Sequence, residues 1–320
     1  MTAVFYQPAS HIDAEWDDVA QILRAAIDER VLCHLGLYSG GCEDMTFDVL
    51  GDEGDEGVRD EYVRIGRELS AQIGEIEAEL IPVRTGDLIR TVLHASRVTI
   101  NCDSVVPDQH VIGFAWVEGP SGALSLPEVP RVRRADQLVS GLADKLRERV
   151  SLRSQNPGGW LTERPADADD PGAAPTADGS ITVHGTATGR YAELCRKAID
   201  LSDLHYIAYC RNGEMIFAFD CFDDRRLGRY FSRMITRAER RQFYADLCRK
   251  LPERVGQLGR TASRALNGRL QRVVLDVQQG AIYYYRIGAG HYLVGVTFDQ
   301  EEVAHADDRL ARLAEELRTP

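Results

Sequence analysis

The sequence predicts an α+β chain built from two like domains, and three observations lead there. Residues 189–318 read as helix, strand, tight turn, strand, long helix, three strands, helix, and residues 14–150 read in the same order. Asn212-Gly213 sits between two apolar runs. Asn-Gly is the dipeptide that a two-residue type I′ hairpin favours, because both central residues take positive φ. Residues 151–180 are rich in Pro, Gly, Ala and Asp and lack periodicity, so they read as a linker. The expected division is a first domain over 1–150, a linker over 151–183 and a second domain over 184–320. Two like halves in one chain suggest a built-in dimer, and that argues for a binding surface before a reaction centre.

In the first half, Trp16, Val19, Ile22, Leu23 and Ile27 recur at helical spacing. Val31 to Tyr38 reads as a strand, Ser39-Gly40-Gly41 as a turn and Met45 to Leu50 as the return strand. Val58, Tyr62, Ile65, Leu69, Ile73, Ile76 and Leu80 line one face of a long helix over about 57–80, ending before Pro82. Strands are expected over Arg90–Leu93, Arg97–Cys102 and His110–Val117, and a closing helix over about 132–150. Trp160 is the exception in the linker, and its burial value predicts that it docks on a domain.

The second half opens with a helix carrying Tyr191, Leu194, Cys195 and Ala198. The hairpin pairs His205–Cys210 with Met215–Phe219. Asp223 or Asp224 caps the next helix, which is expected to run to about Arg249 and stop near Pro252. A further helical piece over 253–266 ends at Asn267-Gly268. Strands follow over Leu270–Val277, Ile282–Arg286 and His291–Phe298, then a last helix over about 301–317.

The bulk numbers narrow the function classes. A chain of 320 residues can bury two ordinary cores, and 44% hydrophobic with 28% charged content is that of a soluble globular protein. A net charge of −12 disfavours overall attraction to nucleic acid or anionic membrane. The N-terminus shows no basic leader or apolar run, and no stretch approaches the ~20 apolar residues of a membrane span. A cytoplasmic location without membrane insertion is expected. The seven cysteines show no CxxC spacing and read as buried free thiols. Nearly every basic residue is Arg, since lysine occurs only at Lys145, Lys197 and Lys250.

The Asn212-Gly213 hairpin with Glu214-Met215-Ile216, and the strand triplet ending in Tyr292-Leu293-Val294, give the second half its resemblance to the Roadblock / dynein light chain domain, related to longin and profilin-like folds. In the first half the resemblance rests on the order of elements. It implies, in each half, a five-stranded antiparallel sheet with the long helix on one face and two shorter helices on the other. It also implies paired long helices, here as a pseudo-dimer within one chain or as a homodimer. Members of the family commonly act as non-catalytic partners or scaffolds of small Ras-like GTPases, including bacterial signalling regulators.

On a wheel of about 100° per residue, Arg226, Arg229, Arg233, Arg237 and Arg240 share one sector of the expected helix, opposite Leu227, Phe231, Met234 and Ile235. Glu61, Glu68, Glu75 and Glu79 line up on the other long helix. Such rows are most commonly solvated faces. A sharper expectation is that the two rows face each other and pair the halves, giving specificity more than stability, and a third is that the arginines contact an acidic protein partner or a phosphate.

No phosphate-loop, dinucleotide, GxSxG, HExxH or metal spacing occurs. No catalytic residue, metal or cofactor is expected. The functional expectation is a non-enzymatic regulator or scaffold that binds a small GTPase or related signalling protein. The alternatives are a small-molecule sensor with a profilin- or GAF-like pocket, and a structural assembly subunit.

Overall fold

The computed structural model describes residues 4–27, 31–49, 56–117, 130–160, 181–231, 235–266 and 268–319. It contains two units. One comprises residues 1–79, 88–157 and 257–270, the other residues 80–87, 158–256 and 271–320. This grouping differs from a division at the linker alone. Residues 80–87 belong to the second unit although they lie in the first half, and residues 257–270 belong to the first although they lie in the second.

The first unit holds β1 (Val4–Pro8), α1 (Asp17–Ile27), β2 (His34–Ser39), β3 (Cys42–Val49), α2 (Glu56–Leu80) apart from its last residue, β4 (Leu88–His94), β5 (Val98–Val106), β6 (Gln109–Trp116) and α3 (Pro130–Arg149). Its sheet runs β1-β3-β2-β6-β5-β4 and is antiparallel throughout. One face carries Leu35, Leu37, Met45, Phe47, Val111 and Ala115 against α1 and α3. The other face carries His34, Tyr38 and Phe114, which meet α2 through Tyr62 and Gly66.

The second unit holds β7 (Thr182–Gly185), α4 (Gly189–Ala198), β8 (Tyr206–Arg211), β9 (Glu214–Asp220), α5 (Arg237–Thr261) through residue 256, β10 (Arg272–Val277), β11 (Gly280–Gly288), β12 (His291–Thr297) and α7 (Val303–Arg318). The short α6 (Ser263–Leu266) lies in the first unit. The second sheet runs β10-β11-β12-β8-β9-β7. The core strands of both units therefore follow one order: the hairpin, then the last strand beside its first member, then the remaining two. Both hairpin turns take positive φ at two successive residues, Gly40-Gly41 and Asn212-Gly213. In each unit the long helix lies on one face and two shorter helices lie on the other.

Three expectations change. Among the described residues each unit has six strands where five were expected, because β1 and β7 add an outer strand beside β3 and β9. The outer strands are only five and four residues long, too short for a period-2 pattern to stand out. The helix expected from 223 to 249 is broken. Residues Arg225–Tyr230 form a 3-10 turn capped by Asp224, and α5 begins only at Arg237. Thr236 and Glu239 form a reciprocal cap there: Glu239 N–H donates to Thr236 Oγ1 at 3.2 Å and Thr236 N–H to Glu239 Oε2 at 2.7 Å. Finally, Pro252 does not stop α5, which runs on to Thr261. A proline there removes the N–H that would bond the Cys248 carbonyl. The Tyr292 hydroxyl supplies the missing donor, at 2.7 Å.

The linker also holds structure before residue 161. Gly158 N–H donates to Asp276 Oδ2 at 2.6 Å, and Trp160 is half-buried. Residues 161–180 and Asn267 lie outside the described residues. All seven cysteines are free thiols, buried except Cys42.

Candidate partner-binding surface

Both halves secure their frames with the same buried ion pairs. Arg90 on β4 donates to Asp136 on α3 at 2.5 Å, and Arg272 on β10 donates through Nε to Asp307 on α7 at 3.0 Å. Asp48 at the end of β3 faces Arg59 on α2 at 3.6 Å, and Asp220 at the end of β9 accepts from Arg241 on α5 at 2.7 and 2.9 Å. His184 Nε2 lies 2.8 Å from the same Asp220. The long helices share a pattern that the element order did not reveal: Arg59, Tyr62, Ile65, Arg67 and Leu69 recur as Arg241, Tyr244, Leu247, Arg249 and Leu251. Gly113 and Gly295 are also matched, since an added Cβ would strike Val139 of α3 at 2.6 Å in one and Leu310 of α7 at 2.1 Å in the other.

The four described arginines of the expected stripe do not lie on one helix face: Arg226 and Arg229 sit in the 3-10 turn, Arg237 and Arg240 on α5. Arg226 clasps Asp224 through Nε at 3.0 Å and Nη2 at 2.9 Å. Arg229 bonds the Tyr230 hydroxyl at 2.5 Å and Asp299 at 3.0 Å, and its guanidinium lies 4.7 Å from the Tyr230 ring centroid. The Tyr230 hydroxyl donates to Asp299 at 2.8 Å, and burial beside that carboxylate pushes its pKa up to about 12. Arg237 donates to the Phe222 carbonyl at 2.6 Å and lies over the Phe231 ring. Arg233 lies outside the described residues. Arg240 is buried, 1% exposed.

The stripe fails because a single wheel through these positions crosses a break. Thr236-x-x-Glu239 is the sequence signal that marks where the helix starts. What remains is a surface of three exposed arginines, Arg226, Arg229 and Arg237, each anchored by a neighbouring group. Their side chains are 54%, 69% and 38% exposed.

The glutamate row does lie along α2. Glu61 accepts from Arg64 at 2.6 Å and faces Arg264 at 3.5 Å, and Glu68 pairs with Arg64. Glu75 and Glu79 also have partners. The basic residues seen against Glu61 and Glu68 are thus Arg64 and Arg264, not the five named arginines. Beside them Gln72 donates to Thr261 Oγ1 at 2.6 Å.

Two histidines are held neutral by burial. His205 Nδ1 accepts the Phe298 N–H at 3.0 Å while Nε2 lies 3.2 Å from the Leu201 carbonyl, which fixes the tautomer. Burial pushes the His205 and His110 imidazoles down to about 4. Among the described residues, no group of three or more His, Cys, Asp or Glu could hold a metal ion, and no helix is long and apolar enough to cross a membrane.

No family model and no curated protein matches the chain. Among solved structures it is similar to MglB in a tetrameric arrangement, at 11% identity over 44% of this chain and 95% of that one, with a TM-score of 0.33. It is also similar to the gliding protein MglB from Thermus thermophilus, at 18% identity over 43% of this chain and 97% of that one, with a TM-score of 0.28.

Proposed function

We propose that this chain is a non-enzymatic regulator or scaffold that docks a protein partner, with a small Ras-like GTPase as the partner class implied by its Roadblock resemblance. The observation that carries this reading is the repetition of one frame. The buried ionisable pairs Arg90–Asp136 and Arg272–Asp307 recur at matching positions and join a strand to the last helix in each half. Groups used twice in the same way serve architecture, which leaves the surface as the functional element. On this reading the two halves form a pseudo-dimer within the chain, and Arg226, Arg229 and Arg237 give the second half a docking face for an acidic surface.

The test is capture of each small GTPase encoded near the gene, in its GDP and GTP states, with single-turnover GTP hydrolysis measured alongside. Binding that weakens about tenfold or more in an Arg226→Glu, Arg229→Glu variant, a loss of roughly 1.4 kcal/mol, supports the proposal. Absence of binding, together with unchanged turnover for every candidate, refutes it.

A further inference from the structure

The start of the second unit is seated by features that a passive tether does not need. Gly158 and Gly159 hold positive φ in succession, 81° and 72°. Gly158 N–H donates to Asp276 Oδ2 at 2.6 Å, and that carboxyl is fully buried on β10. A Cβ added at Gly159 would lie 2.7 Å from the Gln300 carbonyl oxygen and 2.9 Å from that of Glu301. These neighbours are backbone, so they have no rotamer to swing aside. The Trp160 ring folds back over Gly158, where an added Cβ would strike it. Gly158 and Gly159 are both buried.

A contiguous route leads from this seat to the arginine surface. Gln300–Glu302 form a 3-10 turn, and Gly159 rests against its carbonyls. Asp299 caps that turn, its Oδ1 accepting the Glu301 N–H at 3.1 Å. Oδ2 of the same carboxylate accepts from Arg229 at 3.0 Å and from the Tyr230 hydroxyl at 2.8 Å. One side chain therefore fixes both the turn against the strap and the Arg229–Tyr230 pair. Gln300 ties the turn to the sheet, its Oε1 accepting the Gly280 N–H at 3.3 Å. The first half has neither end of this route. His94 stands at the strand position of Asp276, and Val117 follows β6 where Asp299 follows β12.

We propose that residues 158–160 act as a latch that sets the arginine docking surface, so that the hold of this strap on the second unit regulates partner binding. With the latch seated, the carbonyls of the 3-10 turn are held, Asp299 keeps its capping geometry, and Arg229 and Tyr230 are ordered for contact. When the latch lifts, the turn is released and Asp299 loses its fixed direction. Arg229 then becomes a loose surface cation, and ordering it again on binding costs side-chain entropy. The coupling runs both ways, because two sites that bias one element affect each other equally. The regulatory role rests on the docking function proposed above, whereas the latch itself is observable without a partner.

Amide hydrogen exchange on the full chain, read by mass spectrometry, is the test. Gly159→Ala lifts one end of the route, and exchange over residues 158–160, 225–231 and 299–302 should accelerate about fivefold or more. The β8–β9 hairpin, residues 206–220, should be unchanged. Asp299→Ala breaks the other end and should accelerate exchange over residues 158–160. The latch is overturned by unchanged exchange over 225–231 in Gly159→Ala, by unchanged exchange over 158–160 in Asp299→Ala, or by equal acceleration of the hairpin in either variant. A second arm measures binding of a GTPase that the wild type captures. Gly159→Ala should weaken it about fivefold, and unchanged affinity alongside accelerated exchange overturns the regulatory role. If no GTPase is captured, the docking function and the regulation built on it both fail, and the exchange result alone decides whether the latch exists.

Discussion

The two halves of the chain answer the same packing problem with different side chains. Arg90 lies opposite Asp103 in one sheet, and Arg272 lies opposite Tyr285 in the other. Asn101 faces Gly113 where Tyr283 faces Gly295. In the second half both tyrosines reach the last helix, with Tyr283 donating to the Val303 carbonyl at 2.7 Å and Tyr285 to Asp307 Oδ1 at 2.5 Å. In the first half Ser140 of α3 donates to Asp103 at 2.8 Å, and both polar atoms of Asn101 lack a partner among the described residues. On the opposite face the Tyr38 ring fits because α2 has Gly66 against it. The second half places Cys210 and Cys248 at those two positions. Position by position, the volume is redistributed while the Arg–Asp clasp is kept. What is kept marks the frame, and what differs marks where each half is free to specialise.

The largest expected effect tests the claim that the clasps are shared architecture. Arg90→Met and Arg272→Met each leave a buried aspartate without its cation, and each should cost about 3–5 kcal/mol in urea unfolding. Adding Asp136→Leu or Asp307→Leu to the respective variant should recover most of that loss. Strong destabilisation in one half alone would break the equivalence.

The next test separates the halves by pH. His110 occupies the strand position that Tyr292 holds in the second half, bonding Ser70 Oγ at 2.9 Å where Tyr292 bonds Cys248. Its folded pKa of about 4 lies below the ordinary 6.5. The unfolded chain therefore takes up the proton first, and stability present above pH 6.5 falls as pH drops toward 4. The linkage amounts to about 3 kcal/mol over that window, and His205 contributes a similar fall. His110→Gln should flatten the pH dependence of unfolding by roughly half, whereas Tyr292→Phe should leave its slope unchanged.

The smallest effect concerns the exchanged volume. An added Cβ at Gly66 would lie 2.2 Å from Tyr38 Cζ. Gly66→Cys, which imports the residue of the second half, should destabilise by about 1–3 kcal/mol through overpacking. Tyr38→Cys in the same chain should restore much of that loss. Double-variant unfolding curves measure the coupling, and simple additivity would show that the positions do not trade volume.

The order of elements is legible because hairpin turns, apolar periodicity and helix lengths are local signals. Asn212-Gly213 announces its hairpin, and the apolar row from Val58 to Leu80 announces α2. The arginine stripe misleads because a wheel drawn through 226–240 assumes one continuous helix, while Thr236 and Glu239 start a new one. Pro252 misleads for the opposite reason: its effect is cancelled by Tyr292, a residue far away in sequence. The buried clasps and the burial of Arg240 against Phe231 and Phe298 depend on residues brought together by the fold, so spacing along the chain could not reveal them.

The assignment of residues 257–270 to the first unit bears on how the protein can be dissected. A truncated product ending before the linker would retain Gln72 and Glu61 but lack Thr261 and Arg264, the groups they meet in the intact chain. The shortest self-sufficient piece is therefore not marked by the apparent hyphen in the sequence, and a gene divided there would encode two incomplete products.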